Sequence, residues 1–193
     1  MKLDVRFEDI GKLLDTYDPV SVKKAAHATI KQLNGRAATE ISKAVRSKYN
    51  VKAGDVKSVL RQRLKYQGDI PVGYLVYLSK RISLRHFATG TRVKVKTSKG
   101  IRYGARAKVR KDSRASLVSG GFYGKAKTSG ALQIFKREGE GRLPVKKLTA
   151  PAISQMVGGK APIAALNDMV QREANAKMSA NLDFFLKKKT GIL

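Results

Sequence analysis

The sequence predicts an α+β fold: long N-terminal helices and a C-terminal helix packed on a small antiparallel sheet, with extended arms and loops. Three observations carry that reading. From residue 19 to 48 apolar residues recur every three or four positions, from 72 to 109 they recur every two, and from 163 to 186 the helical spacing returns. No internal repeat is visible. One domain spanning residues 1–193 is expected, with arms or loops at 1–17, 111–130 and 136–157.

Leu3, Val5 and Phe7 alternate with polar neighbours, and Ile10, Leu13, Leu14 and Tyr17 follow at helical spacing, so a short extended arm leads into a helical turn. Asp18-Pro19 then reads as an N-cap followed by a first-turn proline, whose missing N–H is no loss there. The helix it opens carries Val22, Ala26, Ile30, Leu33, Ala37, Ile41, Ala44 and Val45 on one stripe. Its lysines and arginines fall largely outside that stripe. Ala25, Ala28, Ala37 and Ala38 imply close packing on a neighbour, and Gly35, about 1 kcal/mol poorer than alanine in mid-helix, marks close packing, a slight bend or nothing.

Val56, Val59, Leu60 and Leu64 predict a second, shorter helix with Arg61, Arg63 and Lys65 outside, ended by Gly68-Asp69 and Pro71. Strand alternation follows through residues 74–78, 82–84, 93–95 and 101–109, with Thr97-Ser98-Lys99-Gly100 as a hairpin turn. Residues 111–130, rich in Ser, Gly and Lys, read as a mobile loop. A final amphipathic helix begins after Gly158-Gly159 and ends in Lys187-Lys188-Lys189, cations suited to the negative end of a helix dipole.

Lysine and arginine number 41 against 14 acids, a formal net charge of +27. Solubility needs far less, so an anionic partner is expected. No run approaches the roughly 20 apolar residues of a spanning helix, and the first residues lack the pattern of a signal peptide, so no membrane partner is expected. Cysteine is absent, which excludes disulfides and thiolate metal sites. His27 and His86 fall on different predicted elements, and the few acids read as caps and turns. No catalytic, metal or cofactor set is therefore assigned, and an enzyme is disfavoured. Gly120-Gly121-Phe122-Tyr123-Gly124-Lys125-Ala126 fails as a phosphate loop, which needs glycine at Ser119 and a hydroxyl at Ala126.

The expected hairpin holds Arg92, Lys94, Lys96, Arg102, Arg106, Lys108 and Arg110. Alternation sets these on a basic face opposite Val93, Val95, Tyr103 and Val109. Such a face would meet phosphates without reading sequence, or an acidic partner; the plain reading is a solvated face that deters edge pairing.

The stretch of residues 136–157 is the one with a signature. A charged glycine turn is followed by two X-Pro units that hold Leu143 and Ala150 extended. In Lys136-Arg137-x-Gly139-x-x-Arg142-Leu143-Pro144-Val145-x-x-Leu148-x-x-Pro151-x-Ile153-x-Gln155-Met156 the chain resembles the minor tail protein Z family of tailed phages, the tail completion proteins of lambda type. The resemblance spans residues 20–160 and departs from the pattern at Ala150, where glycine is expected. It implies an α+β structural virion protein at the head-proximal end of the tail, made in the host cytoplasm and needed for head–tail joining. Its implied partners are copies of itself in a ring, expected as a hexamer, the tail terminator, neck or connector proteins, and genomic DNA in the channel. On that reading Arg142, Leu143, Pro144, Val145, Leu148, Pro151, Ile153 and Met156 form a docking arm toward a subunit or ring. The resemblance carries no catalytic residue. The reading from another class is a non-virion, sequence-independent nucleic-acid binder of ribosomal type, which the charge alone would suit equally.

Overall fold

Asp18 and Pro19 begin a helix as their chemistry requires. In the computed structural model, which describes residues 10–68, 70–90, 93–97 and 100–191, Asp18 Oδ2 accepts hydrogen bonds from the Ser21 N–H (2.9 Å) and Ser21 Oγ (2.8 Å). The chain forms two compact units, one of residues 1–44, 59–78 and 157–193, the other of residues 45–58 and 79–156. The class is α+β, with five α-helices and several small antiparallel sheets among the described residues.

The first unit holds α1 (Ile10–Thr16), residues 19–44 of α2 (Pro19–Lys48), the hairpin of β1 (Leu60–Gln67) and β2 (Ile70–Tyr77), and α5 (Lys160–Thr190). Helices α2 and α5 run antiparallel, since Asp18 meets Lys189, Thr29 meets Met178 and Asn181, and Arg36 meets Glu173. Their seam is apolar: Val22, Ala25 and Ala26 pack with Met178 and Leu182, and Leu13, Leu14, Phe185 and Leu186 close over it. Burying a side chain of leucine size stabilises by about 1.5–3 kcal/mol, whereas exposed ion pairs contribute little. The seam therefore holds the pair together, and the ionic contacts select its direction. Helix α5 ends on Gly191 at φ 72°, whose N–H caps the Lys187 carbonyl.

Gly35 is exposed on α2, and an added Cβ would meet nothing within 4 Å, so close packing does not explain it. Gly73 is the opposite case. Its Cβ would fall 2.7 Å from Asn34 Nδ2, because β2 crosses α2 where the buried Asn34 reaches toward the Arg63 carbonyl (3.4 Å).

The expected helix over residues 56–64 is corrected. Helix α3 (Ala53–Ser58) stops early, and β1 starts at Leu60, paired along its whole length with β2. Residues four apart share a side in a helix and in a strand alike, so Leu60 and Leu64 could not discriminate. The pairing with β2 decides.

The second unit contains α3, β3 (Arg81–Ser83), a 3-10 turn (Leu84–Phe87), β4 (Val93–Thr97), β5 (Gly100–Gly104), β6 (Arg106–Ala107), β7 (Ser116–Leu117), β8 (Gly121–Lys125), β9 (Leu132–Arg137), β10 (Val145–Lys147), β11 (Thr149–Ala152) and residues 153–156 of α4 (Ile153–Val157). Its sheets are small: β10-β9-β8, β11-β3, β4-β5 and β6-β7, all antiparallel. Phe87, Ile134, Ile153 and Met156 anchor the core with Val45, Val56 and alanines 105, 107, 150 and 152.

The expected mobile loop at 111–130 is also corrected, since it contains β7 and β8. Glycines hid the strand there. An added Cβ at Gly121 would lie 2.7 Å from Val118 Cγ1 before the turn into β8, and one at Gly124 would lie 3.1 Å from the Phe135 ring on the paired strand, so both glycines permit close approach. Residues 1–9 of the expected N-terminal arm lie outside the described residues, as do Ser98 and Lys99 of the hairpin turn.

Two outcomes follow for stability. Gly35→Ala should raise the unfolding free energy by about 1 kcal/mol, while Gly73→Ala should lower it by about 1–3 kcal/mol through overpacking against Asn34; chemical denaturation reads both. The Lys189 ammonium, 2.7 Å away, and the Ser21 bonds together hold Asp18 at a pKa of about 2, below its ordinary 3.8. A depressed carboxylate stabilises above its unfolded pKa and loses that contribution as pH falls through its folded value. Between pH 5 and pH 2 the parent should therefore lose more stability than Asp18→Asn, which keeps a cap but not the charge; urea midpoints at the two pH values measure it.

Candidate functional site

The β4–β5 hairpin is set by its register. Lys94 pairs with Tyr103, Lys96 with Ile101, Val95 with Arg102 and Val93 with Gly104. Residues opposite one another in an antiparallel pair share a face. Lys94 and Lys96, both exposed, therefore stand beside Tyr103 and Ile101, which are 55% and 61% exposed. Arg102 occupies the register position of Val95. The expected single basic face opposite an apolar one is thus corrected: alternation fixes faces within each strand, but only the register relates the two strands. Arg92 lies outside the described residues.

Arg106, Lys108 and Arg110 do not continue this face, because the chain breaks from β5 at the buried Gly104 and Ala105. Arg106 pairs with Leu117 in β6–β7. Around Lys108 the backbone is tied on both sides: its N–H donates to the Phe87 carbonyl (2.8 Å), and its carbonyl accepts from Asn50 Nδ2 (2.9 Å). Arg110 binds Asp112 through two nitrogens, at 3.0 and 2.6 Å, which lowers the carboxyl pKa of Asp112 and raises that of the guanidinium. That pairing diverts Arg110 toward its own chain.

Residues 136–157 do not form an extended arm. They complete β9, make the β9–β10 turn, add β10 and β11, and enter α4. Ile153 and Met156, expected to dock on a neighbour, are each 1% exposed and belong to the unit's own core. Val145 and Leu148 are half-buried, and the Leu148 N–H donates to the Ile134 carbonyl (2.9 Å). Leu143 alone of the apolar set projects, at 67% exposure, in the β9–β10 turn between exposed Arg142 and Pro144, with Pro151 also exposed in β11. The apolar spacing that suggested docking is mostly the spacing of a core.

A cavity of about 770 Å³ lies beside the hairpin, lined in part by Val95, Leu117, Val118 and Phe122, with Lys136 and Arg137 bordering it. The Arg137 guanidinium sits 5.6 Å from the Phe122 ring centroid, a cation–π contact that occupies a face of that ring.

Sequence reasoning missed a second cationic row. On β1, Arg61, Arg63 and Lys65 are all exposed on one side of the strand, opposite Val76, Tyr74 and Val72 of β2. Their period-two spacing was the available signal, masked by the helical fit of Leu60 and Leu64. Among the described residues no group of three or more His, Asp or Glu could hold a metal ion, and no helix is long and apolar enough to cross a membrane. His86 Nδ1 stands 3.9 Å from Asp55, and His27 is hydrogen-bonded to the Tyr66 hydroxyl. Comparison with known family models, curated proteins and solved structures finds no match.

Phosphate neutralisation by the hairpin has a measurable signature. Replacing Lys94 and Lys96 together by Gln should reduce the slope of log affinity against log salt on duplex DNA by about 1.8, at about 0.9 for each lost phosphate contact. A salt titration of binding checks it.

Proposed function

We propose that this chain is a structural virion protein of the tail-completion type, acting at the head-proximal end of a phage tail and enabling head–tail joining. The observation that carries the reading is the turn of residues 138–144: the signature segment folds into a stable sheet and leaves Leu143, 67% exposed, on a short turn. A large aliphatic residue held out by strands offers apolar area that contact with a neighbouring subunit or ring would remove from water. The partners proposed are copies of itself in a ring, the tail terminator and neck proteins, and genomic DNA. The exposed cations supply surfaces for the DNA or for an acidic ring, consistent with the +27 charge.

The β4–β5 and β1–β2 faces favour a second reading, a non-virion nucleic-acid binder without sequence preference. Purified particles separate the two, since only the virion reading requires the protein in finished phage. Within the virion reading, Leu143→Asp should leave a folded protein with an unchanged melting profile while head–tail joining in a complementation assay drops at least tenfold. Joining at the parental level would sink the docking role of the turn.

A further inference from the structure

The hairpins β1–β2 and β4–β5, one in each compact unit, are built alike. In each, one strand presents exposed cations at alternate positions, and the residues directly opposite are a tyrosine and an aliphatic side chain. Arg63 faces Tyr74 and Arg61 faces Val76; Lys94 faces Tyr103 and Lys96 faces Ile101. Neither hairpin's strands contain an acidic residue. Val76 is 38% exposed, Tyr103 55% and Ile101 61%, so these faces keep apolar surface in water beside the charge. Toward the β1–β2 turn the face closes, with Val72 at 6% exposure.

Cations alone would serve to deter edge pairing. That role gives no reason for a tyrosine, half-buried at Tyr74 and exposed at Tyr103, opposite a cation of each row. Alternate residues on a strand are about 6.8 Å apart, which makes a row of charges along the strand rather than a cluster. A polyanion with flat apolar faces complements both features at once.

We infer that the open faces of the β1–β2 and β4–β5 hairpins are contact surfaces for single-stranded nucleic acid, with the cations on phosphates and Tyr74 and Tyr103 stacking on unpaired bases. Stacking is tolerant of sequence, because every base has a π-face, and it requires bases that are not paired. A duplex would satisfy the cations and leave the tyrosines and aliphatic residues in water. An acidic protein surface without apolar residues of its own would do the same. The inference stands whether or not the chain is a virion protein, since it concerns binding by the isolated full-length chain.

The test uses that chain with a fluorescent oligo-dT of about 15 nucleotides, within the span of known single-strand sites, and a duplex of equal length, read by anisotropy. Tyr74→Ala and Tyr103→Ala should each weaken oligo-dT binding about tenfold, the lower part of the range for losing one stacked base. Duplex binding should change less than about twofold, and Phe at either position should restore oligo-dT affinity to within about twofold of the parent. Tyr103 is exposed enough to be replaced without opening the core, so it decides the matter if Tyr74→Ala unfolds. Unchanged oligo-dT binding by Tyr103→Ala overturns the inference, as does an equal loss on oligo-dT and duplex, which would mark a surface that reads charge alone.

Discussion

A chain with 41 cations and 14 acids cannot neutralise itself, and its architecture is shaped by that imbalance. Several of the few acids pair with cations of the same chain. Asp18 caps α2 and receives Lys189 from α5, Glu173 receives Arg36, Arg172 and Lys177, Asp112 holds Arg110, and Glu40 holds Lys43. The cations that remain belong where water reaches them, since burying an unpaired charge is costly. Among the described residues the two units accordingly have mainly apolar interiors, with no lysine or arginine buried in them. Such a surface is a standing demand for an anionic partner.

The two long helices were legible because their signals are redundant. A cap, a first-turn proline and an uninterrupted apolar stripe all placed α2, and the stripe with its basic C-terminal turn placed α5. The strands were legible only where alternation was strong. At β1 a four-residue spacing fitted helix and strand equally, and at β8 two glycines removed the alternating side chains while serving the close approach of Val118 and Phe135. In both cases pairing with the next strand along the chain settled what the pattern within one strand could not.

The candidate surfaces show the same division. Composition announced a cationic protein, but which cations share a face depends on register, a non-local property: Lys94 and Lys96 keep company with Tyr103 and Ile101, while Arg102 takes the position of Val95. In the signature segment, apolar residues at suggestive spacing divide between core and surface, with Ile153 and Met156 inward and Leu143 outward. Core and contact residues are chemically identical in such a stretch. Only the folded chain sorts them.

The order of the two units along the chain has a consequence during synthesis. The first unit takes its long helices from early and late in the sequence, and the second unit's residues, 45–58 and 79–156, fall between those helices in chain order. When α2 leaves the ribosome, the Met178 and Leu182 side that will cover its seam is still more than a hundred residues away. At about 5–20 residues per second that is roughly 6–30 s of waiting, in which an apolar stripe flanked by lysines is uncovered. A nascent chain halted before α5 would carry that stripe permanently open. The lysines beside it, by keeping such chains apart, would then matter before the protein has met any partner at all.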